Sequence, residues 1–259
     1  TGRYIAKVDE PRYGDTEQPL AGVEIHDAEV PVIKILAHNG ALVQKGNIRH
    51  QYAHCWRCKN PVIYRATEQW FSSVDGYRQE ALKAIDEQVQ WIPKWGHDRI
   101  YNMIADRGDW VISRQRAWGV PIPIYYCDHC GEHIINDDTI SSLQEWFAKE
   151  GSNAWWAHEA KELLPAGFTC PSCGHDSFHK ETDIMDVWFD SGSSWSGVLE
   201  QNEMDVPCAM YLEGSDQHRG WFNSSLLTGI ATRGHAPYNA VLTHGFVVDG
   251  EGRKMSKSV

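Results

Sequence analysis

Residues 206–248 read VPCAMYLEGSDQHRGWFNSSLLTGIATRGHAPYNAVLTHGFVV, and the order of textures in this stretch decides the fold class. A strand-like apolar run, 206–212, stops at the polar cluster Glu213-Gly214-Ser215-Asp216-Gln217-His218. A segment of helical length, 219–233, follows and ends at Gly234, and a second strand-like run fills 240–248. Strand, short apolar crossover, strand is the pattern of a parallel pair, because parallel neighbours need a connection that returns the chain to the same end. In open α/β sheets, ligands gather outside the carboxyl ends of the strands. The chemistry is therefore expected just after residue 212 and just after residue 248.

Beyond the second run stand Asp249-Gly250-Glu251-Gly252-Arg253-Lys254-Met255-Ser256-Lys257-Ser258. Lys254 and Lys257 alternate with small hydroxyl residues on a glycine-loosened turn, which suits a loop that clamps a polyphosphate. The lysines neutralise charge while Ser256 and backbone N–H groups donate hydrogen bonds. A solvated basic tail is the bland alternative, and the ordered pattern of strand, Asp-Gly turn and lysines weighs against it. At the other strand end, a carboxylate such as Glu213 can take both hydroxyls of a ribose. A second carboxylate or an amide (Asp216, Gln217) can take an ammonium, and Gly214 lets a ligand approach the backbone. Asp216 is equally suited to capping a helix, and a lone His218 is more often structural than catalytic. Trp188 and Trp221 each sit beside a polar cluster. Facing each other, they would form an apolar slot for a branched aliphatic side chain, and core packing is the alternative.

Working outward, Leu82, Ile85 and Val89 share one face of a helix expected over 77–90. Strands are expected over 109–113, 120–126 and 184–189, and residues 30–36 suit a strand or a short helix. A helix over 139–150 is expected to start at Thr139 as N-cap and to end before Gly151. The 259 residues, 42% hydrophobic and 23% charged, are ordinary for one or two globular domains. The net charge of −11 leaves no global basic footprint for a nucleic acid. No signal peptide, long apolar span or lipidation motif stands in the sequence, so a membrane role is not expected and a cytoplasmic location is.

Six of the seven cysteines fall in Cys-x-x-Cys pairs, which in a chain of this size favours metal in a reducing compartment over a disulfide scaffold. Cys127/Cys130 and Cys170/Cys173 are each followed by a glycine that permits a knuckle turn, with thirty-nine residues between the pairs. Four thiolates would close a tetrahedral structural Zn2+ site with no open position. Free-thiol turns or a redox pair are the alternatives. Cys55/Cys58 has no unused partner pair, although His50 or His54 would serve, and Cys208 on an apolar run reads as a buried thiol.

The runs 186–192 (DVWFDSG), 211–222 (YLEGSDQHRGWF) and 242–258 (LTHGFVVDGEGRKMSKS) resemble the class I aminoacyl-tRNA synthetases, most closely the bacterial isoleucyl type. Residues 109–123 (DWVISRQRAWGVPIP) and 54–71 (HCWRCKNPVIYRATEQWF) resemble the same family in the same order. The resemblance implies an α/β fold: the second half of a Rossmann-like nucleotide-binding domain, with a zinc-knuckle insertion and the tail of an editing insertion. Its implied divisions are 1–54 for the editing tail and 55–119 for the return into the catalytic core. The zinc-binding insertion takes 120–182, and the catalytic half ending in the lysine loop takes 183–259. It implies an ATP- and Mg2+-dependent ligase that activates isoleucine as its adenylate and charges tRNA(Ile), the full-length enzyme acting as a monomer. Glu213, Gly214 and Asp216 would hold the adenylate, and Gln217 the aminoacyl part. Trp188 and Trp221 would flank the side chain, and Lys254, Ser256 and Lys257 would serve the pyrophosphate. The family's first, histidine-rich signature is not in this sequence, so the chain alone is expected to be an inactive fragment. A valyl-type enzyme or a non-catalytic zinc-stabilised binding module are the rival readings.

Overall fold

The computed structural model describes residues 20, 22–55, 57–64 and 66–255. They fall in two compact units, Thr1–Glu68 and Gln69–Val259. In the first, α1 (Glu29–His38) settles the ambiguous 30–36 run as a helix.

The second unit runs β1 (Phe71–Ser72), α2 (Arg78–Glu87), β2 (Gln90–Ile92), α3 (Trp95–Ala105), β3 (Trp110–Val111) and β4 (Ser113–Arg114). It continues through β5 (Tyr125–Cys127), β6 (His133–Ile134), α4 (Asp137–Glu150), α5 (Ala154–Ala157), α6 (Ala160–Leu163) and β7 (Phe178–Lys180). It then passes β8 (Ile184–Met185), α7 (Val187–Gly192), β9 (Tyr211–Gly214), α8 (Trp221–Arg233) and β10 (Ala240–His244).

The expected strand–helix–strand is observed as β9, α8 and β10 with shifted bounds: the first strand begins at Tyr211 rather than 206 and takes in Glu213 and Gly214, and the second stops at His244 rather than 248. The two strands pair in parallel from Val241↔Tyr211 to His244↔Gly214. β2 adds a third parallel strand on the far side of β10, with Val241 opposite Trp91, giving the order β2-β10-β9. Val241 of the central β10 is fully buried and Tyr211 of β9 nearly so, while Leu212 and Glu213 of β9 and Gln90 of β2 are exposed. The core joins Leu82, Ala84 and Ile85 of α2 with Ile100 and Ile104 of α3 and Phe222, Leu226, Leu227 and Ile230 of α8. α8 is buried along its length from Phe222 to Ile230, polar residues included. Its buried Thr228 hydroxyl is satisfied, donating to Gly192 O (2.7 Å) and accepting from Trp195 Nε1 (3.1 Å), whereas the buried Ser225 hydroxyl has no partner among the described residues. A second core, around Tyr125, Leu143, Trp155 and Leu163, holds β5–β7 and α4–α6 together as a module around the cysteine pairs.

Several expectations are corrected. The 184–189 run is not one strand: β8 is two residues long, and Asp186 then caps α7 by accepting from Trp188 N–H (3.2 Å). Pro121 and Pro123 lack N–H donors, so the 120–126 strand shrinks to β5. The cap of α4 is Asn136, and Thr139 is its reciprocal partner at the third helical position, while Gly151 ends the helix at φ 73° as expected. β2 and α3 were not expected.

Candidate functional site

β9 delivers the acidic corner. Glu213 is opposite Thr243 and Gly214 opposite His244, so the two strand ends emerge together. Gly214 is buried where the backbone turns. A β-carbon there would come 2.8 Å from Asp216 Oδ1 and 3.9 Å from the Phe246 ring. Glu213 and Asp216 are exposed, on β9 and on the 3-10 turn Ser215–Arg219 that follows. Asp216 makes no helix cap. It is Gln217 whose Oε1 accepts from Trp221 N–H (2.9 Å) at the start of α8.

His218 takes the structural role. It is fully buried, donates from Nδ1 to Ser215 O (3.1 Å), and packs with Trp91, Trp95 and Phe222. A donor facing a carbonyl fixes the Nδ1–H tautomer, and burial lowers the affinity of the ring for a second proton. Its side chain pins the turn that carries Asp216 and Gln217.

The two tryptophans do not pair with each other. Trp221 stacks on Tyr211 (3.8 Å between centroids, 11°) and donates from Nε1 to Ser191 O and Ser194 Oγ (3.0 Å each). Trp188, 42% exposed on α7, lies over Gly220, where a β-carbon would come 2.7 Å from its ring. The two indoles are thus linked through the Gly220–Trp221 backbone, beside a cleft of about 200 Å3 bordered by Arg107, Arg114, Asp186, Trp188 and Arg219. Sequence reading passed over the residue that orients this wall. Asp186 is 4% exposed, and Arg114 (2.8 Å), Trp110 Nε1 (3.0 Å) and Trp188 N–H occupy its oxygens. An acidic residue ahead of Val-Trp-Phe was the available signal. One turn on, burial first and the charge of Asp186 second push the Asp190 carboxyl up to about 6.

The lysine segment is a tight hairpin as far as it is described. Val248 pairs with Lys254, and Met255 N–H donates to Val247 O (3.0 Å). Asp249 accepts from Glu251 N–H, Arg253 N–H and Arg253 Nε (2.9 Å each), which holds its carboxyl below the ordinary range. Gly252 takes φ 79°, which the turn requires of a residue without a β-carbon. Lys254 Nζ stands 3.5 Å over the centroid of the Phe246 ring, the same ring that borders Gly214. Ser256 and Lys257 lie outside the described residues.

Four of the cysteines of the second unit, Cys127, Cys130, Cys170 and Cys173, converge. Cys127 and Cys173 Sγ are 3.5 Å apart, Cys130 and Cys170 Sγ 3.6 Å, and all four sulfurs lie within 4.8 Å of one another. Zn–S bonds of about 2.3 Å give a tetrahedral edge of about 3.8 Å, so the cluster fits that ion. Gly131 (φ 73°) and Gly174 (φ 77°) make the knuckle turns. The Cys130 N–H, its chief influence, lowers the Cys127 thiol to about 6. Cys173 is favoured as thiolate by the His175 N–H, but burial and the neighbouring thiols push it up to about 12. In the first unit, no third ligand joins Cys55 and Cys58 in a metal-sized cluster among the described residues, His50 and His54 included. Cys208 is half-buried against the main core, and burial raises its thiol.

Residues 13–259 match the family described as tRNA synthetases class I (I, L, M and V). Curated relatives include isoleucine–tRNA ligases of Moorella thermoacetica (64% identical over 97% of this chain and 27% of that protein) and Carboxydothermus hydrogenoformans (63%, over 92% and 26%). That of Desulfitobacterium hafniense is 64% identical over 92% of this chain and 26% of its own length. The chain thus spans about a quarter of the length of these relatives. Among the described residues, no helix is long and apolar enough to cross a membrane.

Proposed function

Because this chain belongs to the class I tRNA synthetases, we propose that it is part of a cytoplasmic isoleucine-activating enzyme. ATP and isoleucine would give isoleucyl-adenylate and pyrophosphate, and the acyl group would then pass to the terminal ribose of tRNA(Ile). The observation that carries this reading is the junction of the two strand ends. Phe246 stands where a β-carbon on Gly214 of the acidic corner would come within 3.9 Å of its ring, and the same ring holds the Lys254 ammonium 3.5 Å from its centroid. One ring therefore ties the ribose-binding and phosphate-binding halves of the site together.

In this reading Glu213 accepts the ribose hydroxyls, and Gly214 and Asp216 line the adenylate. With Oε1 engaged at Trp221 N–H, Gln217 has its NH2 donors left for the aminoacyl oxygen. Trp188 and Trp221 form the wall for the aliphatic side chain through Gly220. Lys254, Lys257 and Ser256 stabilise charge as it develops on the departing pyrophosphate. This is catalysis by positioning and electrostatics, without a covalent enzyme intermediate. Mg2+ accompanying ATP would supply further neutralisation of the triphosphate. Cys127, Cys130, Cys170 and Cys173 would hold a structural Zn2+ in the module near 120–182, and residues 1–54 would be the tail of an editing insertion.

The test is ATP–pyrophosphate exchange in the full-length protein, run with isoleucine, valine and leucine. Isoleucine is expected to be preferred, and Glu213→Ala and Lys254→Ala are each expected to slow exchange about 100-fold. Preference for valine would move the protein to the valyl type. Undiminished exchange in both variants would remove the site assignment.

A further inference from the structure

The cysteine cluster has a second, unused set of donors on its solvent side. His129 lies inside the first knuckle, between Asp128 and Cys130, and His175 stands two residues after Cys173. The two imidazoles stack face to face, 3.6 Å apart and 8° from parallel. A ring nitrogen of each and the Sγ of Cys173 lie within 4.8 Å of one another, with both histidines exposed. Other histidines of the module are engaged: His158 with Glu150 (2.8 Å), His179 with Asp128 (2.6 Å), and His133 edge-on to Trp70. The imidazoles of His129 and His175 have no hydrogen-bond or ion-pair partner among the described residues, so their in-plane lone pairs are uncommitted.

We propose that this face binds a second borderline divalent cation of the zinc type, held by His129, His175 and the Cys173 sulfur, which it shares with the four-thiolate ion. Three chemical facts favour it. A thiolate bound to one divalent ion keeps lone pairs with which to bridge to another. Four thiolates around one divalent ion leave excess negative charge that attracts a cation. Imidazole and thiolate together suit zinc-like ions better than magnesium or calcium. The face-to-face stack must open so that each ring aims a nitrogen at one ion, a rotamer change that exposed side chains make at little cost. With three protein ligands and a position left to water, this site is the weaker and more exchangeable of the two.

The inference rests on the four-thiolate reading, and the experiment separates the two. The chain carrying Cys55→Ser and Cys58→Ser, which removes the pair in the other compact unit, is titrated with Cd2+ and with Zn2+. Binding is followed by metal analysis and X-ray absorption. Two equivalents are expected, the first with four sulfur ligands and the second, weaker one adding nitrogen. His129→Ala with His175→Ala should reduce binding from two equivalents to one while retaining the four-sulfur signal, which also reports that the knuckles remain folded. A single equivalent in the parent chain, or two persisting in the double variant, overturns the proposal. A first equivalent lacking four sulfurs removes the four-thiolate reading and the shared thiolate with it.

Discussion

Asp190 is half-buried beside a fully engaged carboxylate, and burial followed by the charge of Asp186 pushes its own carboxyl up to about 6. A folded-state value above the unfolded one means that folding favours the protonated form. The resulting penalty is absent while both states are protonated, grows as pH rises from about 4 to about 6, and is constant above that. Replacing Asp190 with Asn should therefore stabilise the protein at pH 7–8 by about 1 kcal/mol, discounted for the group's partial exposure. That is a gain of about 2–4 °C in Tm, and it should fade towards pH 4. Thermal melts of both proteins across this range check it, and an offset that does not change with pH would count against the shifted carboxyl.

α7 and α8 approach closely because two glycines lack side chains, and the structure ranks them. A β-carbon at Gly192 would meet the Ser224 backbone carbon at 2.8 Å, inside the buried α8. One at Gly220 would meet the ends of the Gln217 and Trp188 side chains at 2.6 and 2.7 Å. Backbone in a packed helix yields far less readily than side-chain ends. Gly192→Ala is expected to cost about 3 kcal/mol and Gly220→Ala about 1 kcal/mol. Urea denaturation gives both values, and the reverse order would mean that the helices are not in such close contact.

Across the second unit, two cores have different origins. The parallel sheet and its helices bury a large apolar cluster that needs no ion, whereas the β5–β7 module packs a smaller one around four converging sulfurs. A structural zinc in such a site is worth on the order of 10 kcal/mol. Chelation should therefore unfold the module and leave the sheet standing. Hydrogen exchange on chelator treatment is expected to accelerate for amides of β5 and β7 and to stay slow for Val241 in β10. Equal acceleration in both regions would mean one cooperative core.

The chain's own chemistry determined the parallel strand–helix–strand, its terminating glycine at 234, the lysine segment after the second strand, and the pairing of Cys127/Cys130 with Cys170/Cys173. Each is written in local spacing: apolar runs of characteristic length, a residue that tolerates positive φ, cysteines with two residues between them. Only the tertiary structure decided that Gln90–Ile92 becomes the third strand, because three residues carry no readable period and their partner in β10 lies far along the chain. It also decided that Val187–Gly192 is a helix. There the cap depends on an Asp186 carboxylate that Arg114 and Trp110, distant in sequence, hold in the interior. The placing of the Phe246 ring close to Gly214 and under Lys254 belongs to the same class. It arises where two strands end together, and that is a fact of register rather than of composition.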